Sequence, residues 1–118
     1  MQIRELVEQA HANAEKHGFW EDFQYNADFL DYMLQMPTED KYAIHNSIST
    51  RLMLIVSELG EALEGLRKCD MSNFREELAD VAIRLGDLCG GLNIDLEREI
   101  KKKMGKNKNR PYKHGKEF

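Results

Sequence analysis

The chain has 118 residues, 32% of them charged, a formal net charge of −4 and only two prolines. That length holds one domain with a modest core and is short for a self-sufficient deep active site, so association between copies is expected. No apolar run reaches the roughly 18 residues of a membrane span and no basic-then-apolar leader opens the sequence, which predicts a cytoplasmic protein without membrane contact.

Long stretches with a 3.6-residue apolar period and few alternating β-branched runs predict an all-α, four-helix bundle-like domain over residues 1–118. The first helix is expected from Gln2 to His17, with Ile3, Leu6, Val7, Ala10 and Ala14 inward and Gly18 as its stop. Phe19 and Trp20 come next as core residues or as a wall for a stacked base. Asp28 to Met36 reads as a short helix ended by Pro37, with Thr38 capping the next element. The central helix begins between Lys41 and Ser47 and runs to Lys68, with Leu52, Ile55, Val56, Leu59, Ala62, Leu63 and Leu66 as its buried stripe.

A short connection from Lys68 to Ser72 forces the next helix to lie antiparallel. Ser72 is its expected cap, Phe74, Leu78, Val81, Ala82, Leu85 and Leu88 are its stripe, and the pair Gly90 and Gly91 is its stop. A fourth helix from Leu96 to about Lys103 is capped by Asn93 or Asp95, with Ile94, Leu96, Ile100 and Met104 apolar. After Gly105 the sequence is a polar, basic tail. Residues 101–118 hold eight basic groups against Glu117 alone, while residues 1–100 hold 9 basic and 20 acidic groups. Such an acidic body repels polyanions, which argues against nucleic acid as a partner. Cys69 and Cys89 lack metal-ligand spacing, His11, His17, His45 and His114 are scattered, and no glycine-rich phosphate loop or serine elbow is present.

Two acidic pairs carry the chemistry. At about 100° per residue, Glu58 and Glu61 fall to one side of the central helix's stripe, and Glu77 and Asp80 fall to the same rotational side of the next helix. Antiparallel packing then opens both pairs onto one side of the hairpin. Spacing alone is not specific, since Glu5 with Glu8, Asp28 with Asp31 and Glu61 with Glu64 share it. Two carboxylates about 5 Å apart at an effective dielectric near 20 repel by roughly 3 kcal/mol, so the cluster raises its own pKa values or binds cations. With no histidine among the four, the donor set favours Mg²⁺, or Mn²⁺, over zinc or iron. An ion held by carboxylates keeps positions for water and phosphate oxygens, which points to phosphate chemistry.

The run Leu52-Met53-Leu54-Ile55-Val56-Ser57-Glu58-Leu59-Gly60-Glu61-Ala62 followed by Glu76-Glu77-Leu78-Ala79-Asp80-Val81 resembles the Glu-x-x-Glu, Glu-x-x-Asp signature of the MazG-like nucleotide pyrophosphohydrolases, an all-α family. Lys16-His17-Gly18-Phe19-Trp20 and, further on, Lys103, Asn107 and Arg110-Pro111-Tyr112-Lys113-His114-Gly115-Lys116 extend the likeness, with residues 21–42 outside it. The resemblance implies a Mg²⁺-dependent enzyme that splits a nucleoside triphosphate between its α and β phosphates. It implies Glu58, Glu61, Glu77 and Asp80 as metal ligands and catalytic acids. Lys103, Asn107 and Arg110, with Lys113 and Lys116, are implied as phosphate contacts, and Trp20 with Phe19 as the base pocket. It also implies a homodimer or homotetramer with sites near subunit interfaces. The rival reading from another class is a non-catalytic helical interaction module whose basic tail binds a partner.

Overall fold

The computed structural model describes residues 1–23 and 38–116, with the side chains of 38–40 and 114 outside the description. The short helix expected at Asp28–Met36 lies outside the described residues. Over those residues the chain is all-α, with α1 (Ile3–Lys16), α2 (Thr38–Arg67), α3 (Met71–Gly91), α4 (Leu96–Lys108) and a 3₁₀ turn at Tyr112–Gly115.

One device ends α1, α2 and α3. Gly18, Cys69 and Asn93 each sit in the left-handed region, at φ 86°, 56° and 56°. The following amide then reaches back to close the last turn: Phe19 N donates to Ala14 O, Asp70 N to Gly65 O and Ile94 N to Cys89 O, at 3.1, 2.8 and 2.8 Å. Asp70 and Asp95 start the next helix at once, their carboxylates accepting from Asn73 N and Arg98 N. The third helix therefore begins at Met71, ahead of the expected Ser72 cap, because Asp70 supplies the acceptor two residues earlier. α3 ends at Gly91, as the sequence predicts, but the glycine pair serves a contact as well as the stop. Gly90 and Gly91 lie where a Cβ would collide with His11 and with the Trp20 ring. The close approach needs glycine; the turn is left to Asn93. α4 continues through Gly105 to Lys108, with Glu97 and Glu99 in its first turn and Lys106 and Lys108 in its last, as the helix dipole favours.

α3 is the centre of the molecule, packed by α2 on one side and α1 on the other, while α4 rests more lightly on α1. The core is Ile44, Leu88 and Leu92, with Phe23, Ile48, Ile55 and Ile94 against it. The stripe predicted to join α2 to α3 holds at Ile55, Ala62, Phe74, Val81 and Leu88, which are buried or half-buried, and fails at its other large apolar residues. Leu52, Val56, Leu59, Leu63 and Leu66 are each about half exposed, and so are Met71, Leu78 and Leu85 on α3. The less accessible line of α2 is instead Ile44, Ile48, Arg51, Ile55, Glu58, Ala62 and Gly65, in alternating steps of four and three. Small Ala62 and Gly65 let the helices close at one end, which turns the long apolar side chains one position outward.

Candidate functional site

The seam of the α2–α3 hairpin is where the acids meet. Carboxylate oxygens of Glu58 from α2 and of Glu77 and Asp80 from α3 lie within 4.8 Å of one another. Glu77 and Asp80 are one turn apart on a single face, so two ligands come from one helix and the third from its antiparallel neighbour. Glu58 is the most enclosed for a reason: its Oε1 accepts from Arg84 Nε at 2.8 Å, with the Glu58 side chain 14% exposed. That guanidinium, followed by a hydrogen bond from Glu77, holds the Glu58 carboxyl below its usual range. Glu77 moves the other way, up to about 7, first because it shares a proton with Glu58 and then through desolvation and the charges of Glu58, Asp80 and Glu61. The repulsion that raises Glu77 is of the kind that a proton or a cation relieves. Three oxygen donors without histidine fit Mg²⁺ or Mn²⁺.

Glu61, the fourth predicted ligand, is outside this group and exposed. It lies one turn along α2 from Glu58, near enough for its charge to raise Glu77.

From the acids a cleft of about 820 Å³ runs between α1, α2 and α3, inside the roughly 300–1,000 Å³ range of small-molecule sites. Glu58, Asp80 and Arg84 line one part of it, and Asn13, Asp22, Ser47, Arg51 and Asp87 contribute polar groups elsewhere. Phe19 is on its wall and 69% exposed. Trp20 does not line it. The indole is 7% exposed, its Nε1 donates to Asp87 Oδ1 at 2.7 Å, and the Arg51 guanidinium covers one face at 3.8 Å from the ring centre. His11 and Phe23 meet it edge-on, at 5.0 and 5.3 Å between ring centres. Trp20 backs the wall rather than offering a face to a base. Arg51 is fixed in turn by Asp22 Oδ1 at 2.8 Å and the Phe19 carbonyl at 2.9 Å, and its hydrogen bond holds Asp22 below the usual carboxylate range.

The basic residues are elsewhere. Lys103 and Asn107 on α4, and Arg110, Lys113 and Lys116 after it, are exposed, and none lines the cleft. Among the described residues of one chain, the tail does not line the cleft beside the acids.

Arg84, Asp87, Asp22 and Arg51 are site residues that the sequence motifs do not mark. For two of them a signal exists: Arg84 and Asp87 stand four and seven residues after Asp80, positions that share its face of a helix. Arg51 and Asp22 carry no such mark, since their pairing depends on how the Gly18 turn folds back over α2. No family model, curated protein or solved structure matches this chain.

Proposed function

We propose that the chain is a Mg²⁺-dependent nucleoside triphosphate pyrophosphohydrolase of the MazG-like type, acting in the cytoplasm and splitting the bond between the α and β phosphates. The observation that carries this reading is the convergence of Glu58, Glu77 and Asp80 at a cleft of nucleotide size. The motif Glu58-x-x-Glu61 with Glu77-x-x-Asp80 supports it independently.

Glu58, Glu77 and Asp80 would hold Mg²⁺, with Mn²⁺ also matching the donors. When bound, the ion neutralises charge on phosphate oxygens and acidifies a water. Glu77 would have to lose its proton to serve as a full ligand. Glu61 lies seven residues beyond Leu54, on the line along α2 that includes cleft-lining Ser47, Thr50 and Leu54, and on this reading it orients the attacking water or takes its proton. Water adds at phosphorus, the α–β anhydride bond breaks, and monophosphate and pyrophosphate leave. Arg84, between the acids and the rest of the cleft, has N–H groups beyond its bond to Glu58 with which to grip phosphate oxygens.

Two copies pair through the exposed stripe of Leu52, Val56, Leu59, Leu63 and Leu66 with Met71, Leu78 and Leu85. Both lines are offset by one residue from the seam in the same sense, so in an antiparallel pair they open on one side as a single apolar face. Lys103, Asn107, Arg110, Lys113 and Lys116 contact phosphate from a second copy, because their own helix leaves the cleft untouched. The same apolar face and basic tail favour the alternative of a non-catalytic interaction module.

Pyrophosphate release from a panel of nucleoside triphosphates, with Mg²⁺ and with chelator, decides between them. Metal-dependent release is expected, lowered at least about a hundredfold by Glu77→Gln, by comparison with the losses that even outer-shell changes cause. Glu61→Gln is expected to abolish turnover with the helical circular dichroism intact. Absence of release from every nucleotide rejects the enzyme.

A further inference from the structure

Asp87 is a carboxylate that the proposed chemistry does not use, and it is unusually well fixed. Its Oδ1 accepts from Trp20 Nε1 at 2.7 Å and stands 3.0 Å from His11 Nδ1. A carboxylate only accepts, so His11 Nδ1 donates to it, while Nε2 faces Glu15 Oε2 at 3.2 Å. Both rings are themselves immobilised. Trp20 is wedged against Gly91, where not even a Cβ fits, and His11 meets Trp20 edge-on.

The other oxygen, Oδ2, has no hydrogen-bond partner among the described residues. The Asp87 side chain keeps 20% exposure, and the residue lines the cleft. Asp87 stands seven residues from Asp80, two turns along one helix face, about 10 Å at 1.5 Å per residue. Arg84 lies between them. One face of α3 thus offers a cation ligand, a guanidinium and a fixed acceptor in order.

We infer that Asp87 is a specificity residue that accepts a hydrogen bond from the exocyclic amino group of the substrate's base. It selects nucleotides whose pairing edge carries an amino group over those with a carbonyl at the same place. An amino group satisfies Oδ2, whereas a carbonyl sets two acceptors against each other in a partly buried site. The inference rests on the nucleotide reading of the cleft, but not on hydrolysis.

The matched pairs are cytosine against uracil and adenine against hypoxanthine, which differ at that position in amino versus carbonyl. The wild-type chain is expected to prefer the amino member by about tenfold or more, the scale on which a site built around one hydrogen bond discriminates. Asp87→Asn should reverse the order. Trp20 Nε1 and His11 Nδ1 both donate, so the amide oxygen must take the Oδ1 place and the NH₂ group turns to the cleft as a donor.

The test is calorimetric affinity for the α,β-imido analogues of dCTP and dUTP with Mg²⁺, beside kcat and KM for dCTP, dUTP, ATP and ITP. Amino preference in the wild type is the first expected result and supports the inference, and its reversal in Asp87→Asn, mainly through KM, assigns it to this side chain. A folded variant that keeps the wild-type order overturns the assignment. Turnover with no amino preference overturns the inference and leaves the pyrophosphohydrolase standing. Preferential binding without turnover does the opposite, and no binding of either analogue sinks both.

Discussion

The two sides of the α2–α3 hairpin invert what such helices usually do. Along the seam and the cleft beside it stand Arg51, Glu58, Glu77, Asp80, Arg84 and Asp87, partly buried; one residue over, Leu52, Val56, Leu59, Leu63 and Leu66 face outward, about half exposed. A step of one residue is a rotation of about 100°, so one pair of helices carries a charged line and a greasy line side by side. Burial of apolar surface is the dominant gain in folding, at roughly 25 cal/mol per Å². This hairpin leaves much of that surface accessible and holds a half-buried charged line beside it.

The sharpest way to break that contrast is to charge the outer line. Leu59→Asp is expected to convert a dimer or larger assembly into a 13.8 kDa monomer in light scattering, with concentration-dependent thermal stability lost alongside. If no copy covers the face, the same change is an ordinary surface substitution, within about 0.5 kcal/mol. A wild-type chain that already runs as a monomer removes the paired arrangement and leaves the apolar face to a different partner.

Next in size is a change on the inner side that touches no charge. Gly91→Ala pushes a methyl group into the Trp20 ring, which cannot retreat because His11, Phe23 and Arg51 hold it. A loss of about 1–3 kcal/mol in denaturant unfolding is expected, as for other overpacked interiors. Gly60, on α2, has nothing within 4 Å of an added Cβ. Gly60→Ala should therefore stabilise the helix by about 0.5–1 kcal/mol. Equal effects at the two glycines would mean that the Trp20 wall is not the fixed element on which the role of Asp87 stands.

The sequence exposes some of this and hides the rest for physical reasons. Helix number, the antiparallel hairpin and the meeting of Glu58 with Glu77 and Asp80 arise from local periodicity and a short connection, and they are readable. The rotational setting of α2 is not. The most apolar line, Leu52 to Leu66, looks like the one to bury, and the choice of Arg51, Glu58, Ala62 and Gly65 depends on how closely two backbones approach. Gly90 and Gly91 are half legible for the same reason, since α3 does end at Gly91. A glycine pair near a helix end reads as a stop, and only the arrival of α1 and Trp20 from 70 or more residues away shows that the missing Cβ atoms are needed for contact.

The smallest expected effect is also the most specific to the inner side, because it tracks one proton. Glu77 has a folded-state pKa of about 7 against an ordinary 4.5. A carboxyl raised in this way lends its stability fully below the ordinary value and loses it as pH climbs through the folded one. Glu58 is shifted down by Arg84, so its contribution is present above the ordinary value and fades toward acid. The pair together leaves the metal-free chain best placed near the ordinary carboxylate pKa and progressively less stable toward neutral pH, as Glu77 is stripped of the proton it shares. A divalent cation held by these carboxylates would take over where that proton leaves, so metal and proton would compete. Added Mg²⁺ or Mn²⁺ should raise the melting temperature more at about pH 8 than at about pH 5.5, where Glu77 must first be deprotonated. In Glu77→Gln the dependence of that rise on pH should flatten. An equal metal effect at both pH values in the wild type would mean that the cation binds elsewhere on this acidic chain, and that the seam keeps its three carboxylates for another purpose.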